Sequence, residues 1–336
     1  MDLVTHIALG ACLGEAMLGR RLGKKAMLWG ALAHSFPDVD VISSLWLTTS
    51  EALLAHRGIT HSIIGGIIAI MFFSWLAMRV TKRKTVRPLY WIQFFSIAVL
   101  LHPLIDTFNT YGVGWFEPFN ARRISFSTVY VADPLFSAVP IFAALALAFI
   151  HPKSMLRKVW WRVAFIVTGI YLVTCVTTKA IVDHDVKKAL DKQAISYNRY
   201  FTTPAPFQNL LWYVVAGNDS GYYVGYRSVF DRSKTISFCY VPANRYLLAG
   251  YANQREIDLL TQFSQQWYAI EKWHDTLVFN DLRFGQIAGW ADSAAHFSFH
   301  YFLGDSLGNR YVMQRGRIKG WTSKSINRFF KRIMGN

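Results

Sequence analysis

His56-Arg-Gly-Ile-Thr-His61-Ser-Ile63-Ile-Gly-Gly-Ile-Ile-Ala-Ile-Met-Phe-Phe-Ser-Trp-Leu-Ala-Met78 sets two histidines directly before sixteen residues that carry no charge. A run so uniformly apolar leaves no polar face for water, so it reads as a membrane-spanning helix, although a span usually takes about 20 residues. Comparable runs follow at Tyr90–Leu101 (extended on both sides to about Arg87–Phe108), at Pro134–Ile150, and from about Val163 to Thr178. Two weaker runs precede it: Leu3–Leu18, which contains His6 and Glu15, and the short Ala26–Ala33. These fit helices packed among the others or lying at the interface. Composition agrees, because 17% of the chain is charged against about 25% in a typical soluble domain.

The net charge of +16 invites a nucleic-acid reading, and its distribution argues against one. Sixteen of the 36 Lys and Arg and eight of the 20 Asp and Glu precede residue 179, so each half carries +8. Thirteen of those sixteen bases fall in three clusters between apolar runs: Arg20, Arg21, Lys24 and Lys25; Arg79, Lys82, Arg83, Lys84 and Arg87; Lys153, Arg157, Lys158 and Arg162. That is a topology signal, and no zinc-finger, helix-turn-helix or RNA-binding motif accompanies it. With the three clusters cytoplasmic, residues 1–178 are expected to form a mostly α, membrane-embedded bundle of about six apolar segments in the inner (plasma) membrane. Both ends of the bundle then lie outside. Met1-Asp2-Leu3 lacks the basic region of a signal peptide, so the N-terminus is expected to be retained.

From about Ile181 the texture changes. Leu210–Val215 and Tyr222–Ser228 flank Gly217-Asn-Asp-Ser-Gly221, which predicts a hairpin with a loop longer than two residues. Thr235–Val241, Thr276–Phe284, Ala295–Leu303 and Arg310–Gln314 also read as strands, and Asn253–Trp273 carries helical spacing through Ile257, Leu260, Phe263 and Trp267. Residues 179–336 are expected to form a small α+β domain outside the cytoplasm. It ends in the basic, partly amphipathic stretch Ile318–Met334, either a packed terminal helix or a contact for anionic headgroups. Cys12 and Cys175 lie in apolar runs and Cys239 is alone in the second half, so neither a disulfide there nor a CxxC metal site is available.

The chemistry-bearing residues crowd into the first 106 positions. They are His6, His34, Asp38, Asp40, His56, His61, His102 and Asp106. His102 and Asp106, four apart, share one face of a helix about 6 Å apart along its axis. His34 and Asp38 have the same spacing, but Pro37 is expected to end the helix and leave Asp38 and Asp40 in a turn. In the topology drawn from charge alone, all eight groups fall in one layer at the outer membrane face, where ionisable groups are costly and usually functional. Imidazoles with carboxylates suit zinc, manganese or iron better than calcium. Taken singly, His6 also fits a hydrogen-bonded core histidine, Asp38 and Asp40 fit caps or turns, and His56 fits an interfacial surface residue. His151, His184, His274, His296 and His300 are scattered and point to nothing.

Thr5-His6, His34-Ser-Phe-Pro-Asp38-Val-Asp40, His56-Arg-Gly-Ile-Thr-His61-Ser62 and His102-Pro-Leu-Ile-Asp106, in that order, resemble the YdjM-like family of inner-membrane metal-dependent hydrolases. Pro118-Phe119, Arg122-Arg123 and Asp133-Pro134-Leu135 fit the same pattern, and the resemblance covers about residues 1–178. It implies a distant similarity to zinc phospholipase C and the S1/P1-type nucleases. By that similarity His34, Asp38, His56, His61, His102 and Asp106 are expected as ligands of one or two divalent ions, zinc foremost, with His6 joining one of them. The second ligand-rich helix that closes the soluble enzymes' three-metal cluster has no counterpart here.

A metal ion so held lowers the pKa of bound water and polarises a carbonyl or phosphoryl oxygen. Asp40 or Asp133 is the expected proton acceptor. Arg57, Arg122 and Arg123 are candidates to hold an anion, or they simply pair with neighbouring acids. A phosphoester, either a membrane lipid headgroup or an envelope compound, is the expected substrate. The alternatives are a non-enzymatic envelope sensor whose metal is structural and a transporter, the latter disfavoured because the groups cluster at one face rather than at the midplane.

Overall fold

The computed structural model describes residues 1–81, 85–304 and 321–335. The chain folds as two units, Met1–Leu45 with Ala55–Cys175, and Trp46–Leu54 with Val176–Asn336. The basic residues Lys82, Arg83 and Lys84 and the strand expected at Arg310–Gln314 lie outside the described residues, as does the start of the Ile318–Met334 stretch.

The first unit begins with α1 (Leu3–Leu22), capped by the Asp2 side chain on Thr5 N, and α2 (Lys24–Ser35), which reverses direction at Gly23 with φ +58°. These helices touch backbone to backbone. A Cβ on Gly10 or on Gly30 would collide with the other's carbonyl oxygen, and one on Gly14 would collide with that of Ala26. Small residues at four-residue steps allow such an approach between apolar helices.

A 3-10 helix (Phe36–Leu45), α3 (Thr49–Ala55) and a short 3-10 turn (Ile59–His61) lead to α4 (Ile63–Val80) and α5 (Pro88–Asp106). Trp91, Phe94 and Phe95 form the aromatic core of this unit, with the Trp91 and Phe95 rings stacked at 5.5 Å. α6 (Pro134–Phe149) and the part of α7 (Leu156–Lys192) up to Cys175 complete the helices of this unit, and the rest of α7 belongs to the second. Among them α4, α5 and α7 are long and apolar enough to cross a membrane, whereas α6 is apolar but shorter.

An ion pair between α1 and α7 is sealed inside this unit. Arg157 donates to both Glu15 oxygens, Nε to Oε1 at 2.8 Å and Nη2 to Oε2 at 2.6 Å, and its Nη1 reaches the Leu147 and Ile150 carbonyls beyond and near the end of α6. The bidentate fork and the two carbonyls satisfy most of a guanidinium that is 2% exposed, which is the condition for burying such a group.

In the second unit β1 (Arg199–Pro204), β2 (Leu211–Gly217), β3 (Gly221–Ser228) and β4 (Phe238–Pro242) form an antiparallel sheet in that order. The β2–β3 hairpin turns through a four-residue loop, Asn218–Gly221, outside the Gly217–Tyr222 pair. β2 is buried on both faces: Trp212, Val214 and Ala216 pack on the last turns of α7, and Tyr213 and Val215 face a core that includes Ala269, Leu282 and Phe297. Those three belong to the second sheet and its neighbouring strands, β5 (Tyr268–Trp273), β6 (Thr276–Gln286) and β7 (Phe297–Phe302). α8 (Gln254–Phe263) and α9 (Ser323–Ile333) complete the described elements.

Three expectations are corrected. The helical spacing of Asn253–Trp273 yields a helix only to Phe263, because Gln265 and Gln266 adopt positive φ, reverse the chain, and send Tyr268–Trp273 into β5. Thr235–Ser237 lie outside β4. Pro37 does not leave Asp38 and Asp40 in an open turn; the chain tightens into the 3-10 helix instead, with the two carboxylates on it.

Glu15→Ala should strand the buried Arg157 charge and cost about 3–5 kcal/mol. The expected outcome is a large fall in detergent melting temperature for the full chain, with much of it recovered in the double variant Glu15→Leu/Arg157→Met.

Candidate metal centre

Five segments bring their side chains to one place. His6 lies one turn before Gly10 on α1 and His34 one turn after Gly30 on α2, so the glycine contact sets the two rings together, Nδ1 to Nε2 at 3.4 Å. His102 and Asp106 come from the last turn of α5, and the His102 ring stacks on His6 at 3.7 Å. Asp38 is supplied by the 3-10 helix, and His61 by the turn before α4. The four histidines and Asp106 are wholly buried, and Asp38 alone keeps some exposure, 14% of its side chain.

Ring hydrogen bonds show which nitrogens are free. His34 Nδ1 is 2.6 Å from the Ala98 carbonyl and His102 Nδ1 is 2.6 Å from the His34 carbonyl. A carbonyl only accepts, so both Nδ1 atoms are assigned the proton and both Nε2 atoms present lone pairs. His61 Nδ1 faces Asp40 Oδ2 at 3.2 Å and Thr60 Oγ1 at 3.0 Å, while the Thr60 hydroxyl donates to Asp40 at 2.7 Å. The proton of His61 is therefore on Nδ1 as well.

The Nε2 atoms of His61 and His102 consequently face each other as two acceptors 3.1 Å apart. Asp38 Oδ1 is 3.5 Å from each, and Asp106 Oδ2 is 3.9 and 3.8 Å from them. Four acceptors in this arrangement repel one another, and a cation among them removes the conflict. Ligand bonds of about 2.0–2.1 Å place tetrahedral ligands about 3.3 Å apart, close to these separations.

His6, His34 and His102 make a second, overlapping group. His102 has one free nitrogen and can serve only one of the two. A neutral His6 has one N–H for two contacts, His34 Nε2 at 3.4 Å and Asp106 Oδ1 at 3.2 Å, so a proton or a metal ion is needed here too. The buried His/Asp cluster could thus hold a metal ion.

The profile of the YdjM inner membrane protein family matches residues 1–182. The chain belongs to that family. This YdjM-family chain is similar to inner membrane protein YbcI of Escherichia coli (strain K12), 23% identical over 171 residues, which is 48% of this chain and 97% of that protein. It is also similar to uncharacterized protein YfhP of Bacillus subtilis (strain 168), 30% identical over 156 residues, covering 44% of this chain and 46% of that one. No solved structure matches it.

The other expected site residues of this YdjM-family protein fall around the cluster or away from it. Asp40 is not a free acid. Its oxygens accept from Arg57 N at 2.9 Å, from Thr60, and from His56 Nδ1 at 2.7 Å as well as facing His61. It orients His61, and His56 stands beyond it with its ring part-exposed, outside both groups. Arg57, at φ +62°, is buried with Nη2 3.0 Å from Asp106 Oδ2 and Nη1 donating to Asn109 at 2.7 Å. Arg123 donates to the His56 carbonyl at 2.8 Å, whereas Arg122 is exposed. Asp133 caps α6 through Leu135 N and accepts from Tyr171 at 2.7 Å, with no cluster residue among these partners.

Burial raises the Asp40 carboxyl, but the bonds from His56 and His61 outweigh it and hold the group below the usual carboxylate range. Burial lowers the Arg57 guanidinium to about 10, opposed by Asp38 and Asp40.

Thr60, Asn109 and the Met1 amino group, which contacts Asp106 Oδ1, were not among the expected residues. Thr60 and Asn109 stand one before and three after a candidate ligand, which is the only signal either carries.

Asp40→Ala leaves several buried donors without their acceptor, at about 1–3 kcal/mol each. It should lower the melting temperature of metal-free protein in detergent markedly, and Asp40→Asn should lower it less. Because the folded carboxyl titrates low, its contribution is complete at neutral pH. The gap between wild type and Asp40→Ala should stay flat between about pH 8 and pH 6 and shrink below about pH 4.

Proposed function

We propose that this chain is a membrane-bound, metal-dependent hydrolase that cleaves a phosphoester at the membrane face. The observation that carries the reading is the pair of Nε2 lone pairs of His61 and His102, 3.1 Å apart, with the Asp38 and Asp106 oxygens around them. A bound divalent cation, zinc foremost, supplies Lewis acidity and acidifies water. His61 and His102 hold its place, their rings fixed from behind by Asp40 and by the His34 carbonyl. Asp38, the part-exposed member, marks the side from which water and ester arrive. Its contacts with the imidazoles use one oxygen, which leaves the other to accept a proton from water. Arg57 is committed to Asp106 and Asn109 and acts as a clamp on the cluster, so the exposed Arg122 is the candidate to meet the anionic substrate.

The phosphoester class rests on the distant similarity to zinc phospholipase C and the S1/P1-type nucleases that the family resemblance implies. A lipid headgroup or an envelope compound fits a site at the ends of apolar helices. α1, α2 and α6 are taken as embedded beside the three longer apolar helices, giving six segments in all. The basic clusters then lie in the cytoplasm, with the centre and the second unit outside.

A sensor with a structural metal is the second reading. It is favoured by the near-complete burial of the ligands and by Asp106 already meeting Arg57 and the Met1 amino group.

The purified full chain should carry about one zinc or similar ion, and His102→Ala/Asp106→Ala should lose most of it. Asp40→Asn should weaken metal affinity by about 10–100-fold through the loosened His61 ring. Metal-loaded protein should hydrolyse a member of a phosphodiester and phosphomonoester panel, with Asp38→Ala inactive yet folded. Retained metal with no hydrolysis, together with unfolding on chelation, selects the structural reading. A reporter fused after Asn336 that works only in the cytoplasm should be silent.

A further inference from the structure

α9 carries two apolar seams. Ser325, Phe329 and Ile333, four residues apart, are buried against Ala205 and Leu211 beside the rings of Trp290 and Trp321. The Ser228 hydroxyl bonds the Ile333 carbonyl, and Arg332 reaches Asp231 and the Tyr226 carbonyl, so the helix is fixed in place. The second seam runs alongside. Ile326, Phe330 and Met334, also four apart, are 37%, 62% and 72% exposed. Phe230, half exposed, lies at the end of that seam, where Gly335 sits against its backbone.

Across Ser323 and Asn327 from the outer seam, on the flank away from it, stand Lys324, Arg328 and Lys331 at steps of four and three, all exposed; Arg328 also reaches the Ala291 carbonyl, and α9 contains no acidic residue. We propose that this face of α9 docks on an anionic lipid surface, its apolar seam entering the acyl boundary and its basic row meeting phosphate headgroups. The two rows demand an occupant that is apolar and anionic at once. A second copy of the chain would bring identical cations face to face. An anionic bilayer offers both features in adjacent layers, and a helix with an apolar seam on one flank and long basic side chains on the next suits that boundary. A bilayer accompanies every member of an inner membrane protein family. The proposal stands on the second unit alone and is independent of the metal centre.

The test uses the full chain in nanodiscs, with the photoreactive residue p-benzoylphenylalanine in place of Phe330. One set of discs is made of phosphatidylcholine and the other of phosphatidylcholine with phosphatidylglycerol at three to one. A second protein carries the probe in place of Tyr246, which is 74% exposed on the same unit. Lipid adducts at position 330 should be at least three-fold more abundant in the anionic discs than in the neutral ones, and more abundant than at position 246. Lys324→Gln/Lys331→Gln, which changes only exposed side chains and spares the Arg328 bond to the Ala291 carbonyl, should remove most of the excess without moving the melting temperature. Equal yields in both kinds of disc, yields no higher than at position 246, or adducts to protein in place of lipid would overturn the proposal. The last of these would assign the face to a protein partner.

Discussion

The close approach of α1 and α2 at Gly10 and Gly30 is the constraint on which the centre depends. A methyl group on either residue would strike the opposite backbone, and on Gly10 it would also meet the His34 Cβ. The glycines are therefore needed for contact more than for backbone freedom. Once the helices touch there, His6 and His34 have no course but towards each other, and the last turn of α2 comes within reach of α5.

That last turn supplies what the rings need. A helix leaves its final carbonyls without intrahelical donors, and because α2 ends at Ser35 the His34 carbonyl is free to take the His102 Nδ1–H. His34 in turn gives its own Nδ1–H to Ala98. Two of the imidazoles are thus aimed by main chain, which cannot rotate away, and a third, His61, by Asp40. Partners behind a ring fix both its tautomer and its direction. The lone pairs at the centre are as rigid as the helices that carry them.

Spacing and charge made much of this legible. The four-residue step from His102 to Asp106 put both on one face, and the apolar runs marked α4, α5 and α7. The order of motifs pointed to the family. What spacing cannot convey is direction within a 3-10 segment, where three residues per turn and poorer hydrogen bonds set Asp38 towards the imidazoles and Asp40 behind one of them. Two residues apart, they have different tasks, and only coordinates separate them. Arg57 carried two readings, an anion site or a partner for neighbouring acids, for a related reason. Its basic charge suggested an anion site, whereas a left-handed backbone turns it inward onto Asp106. In the second unit β1 and β5 escaped notice because Arg199–Pro204 lacks a clear alternation and Tyr268–Trp273 continues a helical pattern up to the two glutamines that break it.

Every group of the centre precedes residue 107 in a chain of 336. During synthesis the centre can close before any strand of the sheet unit has left the ribosome, and among the described residues both ligand groups come from the first unit. The relative from Escherichia coli is matched over 97% of its length by about half of this chain, and is therefore about half as long.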